Sequence, residues 1–233
     1  FNDAPDEAMA AAENEQAGEI DLADNDKVMN GVYTISSAGD YKFTCSRETG
    51  NRIVVDGKKI SAKDSINIYL NKVNINTSAG PALQINVNVE ATVTIYLTGT
   101  NNLITTNENS AGLQKDNEAQ LIITNAPDTT TGILKASSDG IGYGAGIGSG
   151  NYGSCKNITI NSGSVNAKST HGAGIGGGHH GSCNNITIKS GSVNAKSMHG
   201  AGIGSGNYGS CNNITINSGS VTASSTSGAG IGG

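Results

Sequence analysis

Residues 144–171 read GAGIGSGNYGSCKNITINSGSVNAKSTH, and nearly the same 28 residues follow twice more, at 172–199 and 200–227. A further copy opens with Gly228-Ala229-Gly230-Ile231-Gly232. Self-similarity at one fixed period indicates a repeat architecture, in which each unit buries its apolar side chains against its neighbours. The chain is therefore expected to be a solenoid.

The repeat is expected to consist of β-strands. Residues 140–233 contain 25 glycines, and each would cost a helix about 1 kcal/mol relative to alanine. Apolar and polar residues alternate in Ile158-Thr159-Ile160 and Val165-Asn166-Ala167, which is the period of a strand with one buried face. Coiling such strands stacks like residues about 4.8 Å apart and closes an apolar core. The sequence predicts an all-β fold, a right-handed single-stranded parallel β-helix.

The period persists upstream in a looser form. Leu134-Lys135-Ala136 corresponds to Val165-Asn166-Ala167. Counterparts of the other two strands are expected at Ala82-Leu83-Gln84, Gly112-Leu113-Gln114, Ile66–Leu70, Val93–Leu97 and Leu121–Ile123. These matches predict a β-helix of about seven turns over residues 30–233, irregular over 30–139 and regular over 140–233.

The two ends of the chain differ from the repeats. Residues 1–27 hold nine acidic residues and one basic residue, and Asp3 followed by Pro5 resembles the start of a helix. An acidic segment is expected over residues 1–29, either a helical cap on the first turn or a surface tether. At the other end the repeat stops at an open coil, whose strand edges and apolar interior need a cover. A longer natural chain or another subunit is expected there.

Composition excludes several classes of protein. No run approaches the roughly 18 apolar residues of a membrane span, and the glycines lack the three-residue period of collagen. Residues 1–139 hold all 19 Asp and Glu against 10 Lys and Arg, whereas residues 140–233 hold four Lys and no acidic residue. This small and dispersed basic excess gives nucleic-acid binding little support.

The repeat is similar to a known family. The pattern Gly-Ala-Gly-Ile-Gly, then Cys-x-Asn-Ile-Thr-Ile, then Ser-Gly-Ser-Val-x-Ala resembles repeats of secreted surface proteins of gut anaerobic bacteria, and residues 97–103, LTGTNNL, are also typical of them. Those proteins are described as carbohydrate-binding-domain or cell-adhesion proteins with a pectin-lyase-like β-helix. The resemblance covers residues 30–233. It implies that fold, an extracellular or cell-surface location, and binding or adhesion without catalysis.

Aromatic residues occupy one turn position in all three repeats. Tyr152, His180 and Tyr208 are expected to form a file of rings along the β-helix, with polar side chains beside them as hydrogen-bond partners. A polysaccharide or host glycan lying along the axis could place one sugar on each ring face. The alternative is a ladder of rings that only stabilises the turn. The predicted site comprises Tyr143, Asn151, Tyr152, His179, His180, Asn207 and Tyr208.

A second file is expected from the cysteines of the repeats, Cys155, Cys183 and Cys211. Neighbours in the file would lie near the ~4.4–6.8 Å Cα separation that a disulfide tolerates, but three cysteines leave one unpaired and Cys45 lies several turns away. Buried free thiols are the favoured interpretation, and one vertical disulfide is the alternative. The spacing does not fit a zinc site, and no carboxylate accompanies His171 and His199. No metal and no cofactor is expected.

Catalysis is the competing class of function. Glycoside hydrolysis needs two carboxylates, and a calcium-assisted lyase needs an acidic cluster with a base. Residues 140–233 contain no carboxylate. Two upstream groups leave a polysaccharide lyase or hydrolase as an alternative, namely Asp116 and Glu118 with Lys115, and Asp56 with Lys58 and Lys59. Loop charges explain these groups better, so a non-enzymatic module is predicted, with a purely structural surface stalk as the third hypothesis.

Overall fold

The computed structural model describes residues 18–24, 28–57 and 60–233. Over these residues the chain is a β-solenoid of about seven turns, built from three parallel sheets, which confirms the predicted parallel β-helix and its 28-residue period. The expected helix start at Asp3 and Pro5 and the pair Lys58 and Lys59 lie outside the described residues. Among the described residues, no helix has the length and apolarity needed to cross a membrane.

From residue 65 onward each turn contributes one strand to each sheet, whereas the described residues before it contribute strands to the first and second sheets alone. The first sheet contains β1 (Ile20–Asp21), β3 (Gly39–Thr44), β5 (Ser65–Asn71), β8 (Thr92–Thr98), β11 (Leu121–Asn125), β14 (Ser154–Ile160), β17 (Ser182–Ile188) and β20 (Cys211–Ile216). The second contains β2 (Val32–Ile35), β4 (Arg52–Val55), β7 (Leu83–Ile85), β10 (Leu113–Lys115), β13 (Ile147–Gly148), β16 (Ile175–Gly176), β19 (Ile203–Gly204) and β22 (Ile231–Gly232). The third contains β6 (Asn74–Thr77), β9 (Thr100–Thr105), β12 (Ile133–Ser138), β15 (Ser164–Lys168), β18 (Ser192–Ser197) and β21 (Ser220–Ser225).

Equivalent residues pair in register from turn to turn. Ile186 pairs with Ile158 on one side and with Ile214 on the other. The predicted upstream matches are confirmed by the pairs Leu121–Ile158, Leu113–Ile147, Leu83–Leu113, Ile66–Val93 and Leu134–Val165. The register shows that the chain winds at a constant pitch, so each sequence column becomes a physical file of side chains.

The β-helix begins before residue 30. Ile20 in β1 pairs with Phe43 in β3, and Leu22 is fully buried. The described part of the acidic segment 1–29 therefore contributes the first strand of the first sheet. At the other end, Ile216 and Ile231 are 41% and 47% exposed, because no further turn of the described residues covers them.

An asparagine bulge turns the cysteines inward. Asn157, Asn185 and Asn213 adopt φ of 59° within the first sheet, a conformation that asparagine tolerates better than most residues. The Asn185 amide donates to Asn157 Oδ1 at 3.0 Å, which continues the file from turn to turn. The extra residue lets both Cys155 and Ile158 point into the core.

Cys155 and Cys183 form a disulfide, with their Cα atoms 4.7 Å apart. The favoured prediction of buried free thiols is therefore wrong for this pair. In-register stacking brings the Cα atoms within disulfide range, and the bulge places both sulfur atoms in the same buried space. Cys45 and Cys211 are free and half-buried.

Reduction of the disulfide is expected to lower the free energy of unfolding by roughly 3 kcal/mol, because the bond closes a loop of 28 residues in the unfolded chain. Urea unfolding with and without a reductant measures this change. Cys211→Ser serves as the control, and reduction should lower its free energy of unfolding by the same amount as in the wild-type chain. Recovery of Cys155 and Cys183 as separately alkylated thiols from the non-reduced protein would contradict the assignment.

Candidate functional site

Each regular turn contains a glycine-rich segment that folds back on itself. In the segment 172–178, which is buried throughout, the Ala173 N–H donates to Gly177 O at 2.8 Å. Gly176 has a φ of 133°, and a Cβ at this position would lie 1.9 Å from Gly204 O. Only glycine permits this approach of two backbones. The segment therefore occupies little space, and the residues on its two sides reach the same surface.

Backbone hydrogen bonds join the two sides of these segments across neighbouring turns. The His179 N–H donates to Tyr143 O at 2.7 Å, and the Asn207 N–H donates to His171 O at 3.0 Å. A residue that precedes one glycine-rich segment thus lies beside a residue that follows the next segment. The fold-back brings together two ring-bearing positions that stand nine residues apart in each repeat.

Seven rings meet on this surface, which we call the ring cluster. The outer file consists of Tyr152, His180 and Tyr208, and the inner file consists of Tyr143, His171 and His199. His179 lies between the two files and contacts rings of both. All four histidines of the chain belong to the cluster. Sequence reasoning found the outer file and His179 but assigned Tyr143 to the surroundings of the outer file, whereas it heads the inner one.

The outer file is a continuous stack of rings. The centroids of Tyr152 and His180 lie 4.8 Å apart at an interplanar angle of 3°, and those of His180 and Tyr208 lie 5.0 Å apart at 15°. Tyr152 and Tyr208 are 71% and 77% exposed. The file therefore presents a narrow aromatic ridge to solvent.

Stacking covers most of the ring faces in the outer file. Both faces of His180 are in contact with tyrosine rings, and within the described residues no further ring stacks on the far faces of Tyr152 and Tyr208. A sugar chain parallel to the β-helix axis would meet ring edges and tyrosine hydroxyls. This arrangement differs from the expectation of one free face for each sugar.

The backbone of the outer file is strained. Tyr152, His180 and Tyr208 have φ values of 57°, 54° and 61°, in the left-handed region that bulky residues rarely adopt. Each such residue costs about 1–2 kcal/mol relative to a right-handed conformation. Glycine or asparagine would relieve this cost, so the turn itself does not require rings at these positions.

The inner file and His179 form the more buried part of the ring cluster. The ring centroids of Tyr143 and His171 lie 5.0 Å apart, and those of His171 and His199 lie 4.7 Å apart. Burial lowers the pKa of the His179 imidazole, and the neighbouring His180 and His171 lower it further. The His179 imidazole is therefore harder to protonate than a free one. No group of histidine, cysteine and carboxylate side chains in the described residues is arranged to hold a metal ion.

The two asparagines of the predicted site lie in the same file as His179. The Asn151 amide donates to Asn109 Oδ1 at 2.8 Å, while the buried Asn151 Oδ1 has no hydrogen-bond partner. Asn207 is half-buried and joins the cluster through its backbone bond to His171 O. The structure therefore brings all seven residues of the predicted site onto one surface.

The carboxylates of the alternative catalytic site line a separate groove of about 540 Å³, together with Glu90. Asp116 accepts hydrogen bonds from Gly150 N (2.9 Å) and Gln114 Nε2 (2.6 Å), and burial raises its pKa. Glu118 forms an ion pair with Lys156. Both carboxylates are thus engaged by the protein itself.

Lys115, the proposed partner of these carboxylates, does not face the groove. Its side chain is fully buried in the β-helix, where Nζ donates to Asn117 O at 3.0 Å and to Lys156 O at 2.6 Å. Asp56, in the other alternative group, accepts a hydrogen bond from the Asn88 amide at 3.1 Å.

Comparison with known proteins supports the fold. A family model described as a beta helix repeat matches residues 158–179, 186–207 and 214–233, which are spaced by the same 28 residues as the sequence repeat. No curated protein and no solved structure shows significant similarity to the chain. The chain is a parallel β-helix protein with three beta helix repeats in its regular half.

Proposed function

We propose that the chain is a non-catalytic, extracellular carbohydrate-binding or cell-adhesion module whose ring cluster contacts a glycan. The observation that carries this proposal is the outer file, where three exposed rings occupy backbone positions with φ of 54–61°. Strained and exposed residues that the fold does not need are typical of functional sites. Aromatic rings with hydroxyl and imidazole groups suit a ligand that has both apolar faces and hydroxyls.

Three further properties of the cluster favour a glycan as ligand. It is rigid, because its rings stack on consecutive turns of the solenoid. It is extended along the axis, which suits a polymer. It contains no carboxylate, and burial lowers the pKa of the His179 imidazole, so binding of an uncharged sugar chain would desolvate little charge.

An extracellular or cell-surface location is consistent with the disulfide. Cys155 and Cys183 are joined inside the regular repeats, and such bonds persist mainly in oxidising compartments. A rigid solenoid outside the cell holds the ring cluster at small conformational cost, which suits adhesion.

Replacing both outer tyrosines, Tyr152→Asn with Tyr208→Asn, is expected to abolish glycan binding and to change the free energy of unfolding by less than about 1 kcal/mol. Asparagine relieves the left-handed backbone, which offsets the loss of ring stacking worth about 0.5–1.5 kcal/mol per pair. Affinity electrophoresis in gels that contain neutral polysaccharides measures binding, and urea unfolding measures stability.

The matched control replaces the other stacked tyrosine pair, Tyr69→Thr with Tyr96→Thr, whose rings lie 4.6 Å apart on the first sheet. This control should retain wild-type mobility. Absence of binding by the wild-type chain across a broad glycan panel would overturn the proposal and leave the outer file as a structural ladder.

A polysaccharide hydrolase or lyase is the second candidate, and the groove lined by Glu90, Asp116 and Glu118 favours it. The same polysaccharides are incubated with the protein and analysed for new reducing ends or unsaturated products. The leading proposal requires that none form. Product formation that disappears in Asp116→Asn would establish the second candidate instead.

A further inference from the structure

The outward face of the third sheet carries a file of lysines. Lys168 in β15 pairs in register with Lys196 in β18, and Ser137 precedes them in the same column. Lys135 stands on this face in the neighbouring column, in register with Asn166. The residues that alternate with these lysines are buried and mostly apolar, so the lysines project from a fixed surface.

This face concentrates positive charge, which a single carboxylate, Asp139, compensates only in part. Like charges that face each other on neighbouring strands repel and destabilise a sheet. Lys168 contacts Asp139 at 3.7 Å, but its side chain remains 68% exposed. Within the described residues, Lys135 and Lys196 form no ion pair, and residues 140–233 supply no acidic residue that could form one.

The fold itself does not require these charges. In β21 the same column is occupied by Ser224, which pairs with Lys196. A small neutral residue therefore satisfies the pitch and the register at this position. The adjacent lysines impose a repulsion that an external anion would remove.

The lysines border a groove of about 310 Å³. Its polar lining also includes the carboxylate of Asp139 and the amides of Asn166 and Asn194, which are in register with each other, and the Asn194 Oδ1 is buried without a hydrogen-bond partner. The groove runs along the β-helix axis because its lining side chains come from four consecutive strands of the third sheet, β9, β12, β15 and β18. It is separate from the ring cluster, since no ring lines it.

We infer that this groove binds a linear acidic polysaccharide, with its carboxylates on Lys168, Lys196 and Lys135 and its hydroxyls near Asn166 and Asn194. This inference rests on the proposed glycan-binding function and names the charge class of the ligand. A uronate chain carries one carboxylate on each sugar, and an extended sugar is about as long as the rise of one turn. A single-stranded nucleic acid fits less well, because the groove offers no ring on which bases could stack.

The test uses polygalacturonate and the same polymer with its carboxyl groups fully methyl-esterified, so that only charge differs. The wild-type chain is expected to bind polygalacturonate with an affinity that falls as salt rises, and to bind the ester at least about tenfold more weakly. Lys168→Ser with Lys196→Ser introduces the residue that Ser224 already places in this column. This variant should weaken binding to polygalacturonate about tenfold or more and reduce the salt dependence.

The matched control is Lys63→Ser with Lys189→Asn, which removes the same charge from exposed positions outside the groove. It should change the affinity less than about twofold, because distant surface charges are screened. Three results would overturn the inference. The control could lose as much affinity as the lysine variant, or the esterified polymer could bind as tightly as polygalacturonate. The chain could also prefer a polyanion without sugars, such as polyglutamate or a single-stranded oligonucleotide.

Failure of this inference is distinguishable from failure of the proposed function. Tyr152→Asn with Tyr208→Asn leaves the groove intact and should abolish binding to neutral glycans while polygalacturonate binding persists. The lysine variant should show the reverse pattern. If the tyrosine variant loses polygalacturonate binding, the ring cluster accounts for all binding. This result would overturn the inference that the groove is a binding site.

Discussion

Gly176→Ala is expected to unfold the regular half of the β-helix, with a loss of more than about 4 kcal/mol in the free energy of unfolding. A Cβ at this position would lie 1.9 Å from Gly204 O, and the φ of 133° is one that an L-residue rarely adopts. The added Cβ would clash with a backbone carbonyl oxygen of the next turn, so no side-chain rotation can relieve the clash. Gly204 is itself held by the next turn, since a Cβ there would lie 1.7 Å from Gly232 O.

Urea unfolding followed by circular dichroism measures this effect, and limited proteolysis locates it. Gly140→Ala is the matched control, because Gly140 also has positive φ, of 74°, but no atom lies within 4 Å of the added Cβ. The control should cost only the backbone strain, about 1 kcal/mol. If both variants lose similar amounts of stability, positive φ alone, rather than the close approach of neighbouring turns, accounts for the need for glycine at these positions.

The same packing explains why the fold could be predicted from sequence. In a solenoid each residue contacts its equivalents one period away, so the repeat of Ile158 at Ile186 and Ile214 already determines their contact. The less regular upstream strands follow the same rule, since Leu134 pairs with Val165. A repeat converts sequence spacing directly into tertiary structure.

The candidate site was only partly predictable. The outer file follows from the 28-residue period, because Tyr152, His180 and Tyr208 are equivalent positions. The inner file is linked to it through His179. This placement depends on the fold-back of the glycine-rich segments, whose positive-φ backbone geometry the alternation of apolar residues does not encode. The signal available in the sequence was the constant interval of nine residues between the two ring positions of each repeat, as between His171 and His180.

The disulfide and the buried lysine were missed for different reasons. In-register stacking predicted that Cys155 and Cys183 could pair, but it could not choose between a disulfide and two thiols at the same spacing. Lys115 follows Leu113 by two residues in β10, so strand alternation places it inside the β-helix. The expectation that lysine lies at the surface outweighed that signal.

The wild-type chain is expected to gain about 2 kcal/mol in its free energy of unfolding between pH 7 and pH 9, because Lys115 is buried. Burial lowers the pKa of its amine from 10.5 to about 7, although Asp116 and Glu118 oppose this shift. Between these values the unfolded chain binds a proton at Lys115 that the folded chain does not. Stability therefore rises with pH across this window, at close to 1.4 kcal/mol per pH unit once the folded amine is neutral.

Lys115→Met removes the titrating group while keeping a long side chain in the core, so its stability should be nearly independent of pH between 7 and 9. Urea unfolding at pH 7, 8 and 9 measures both chains, and Lys63→Met, at an exposed position, should keep the wild-type slope. The window stops at pH 9 because burial raises the pKa of the Cys211 thiol to about 11, so above pH 9 the unfolded chain ionises this thiol first, which opposes the gain from Lys115. If Lys115→Met keeps the wild-type dependence of stability on pH, the Lys115 amine does not lose its proton in the folded wild-type chain over this range. Its charge would then be stabilised by the hydrogen bonds to Asn117 O and Lys156 O.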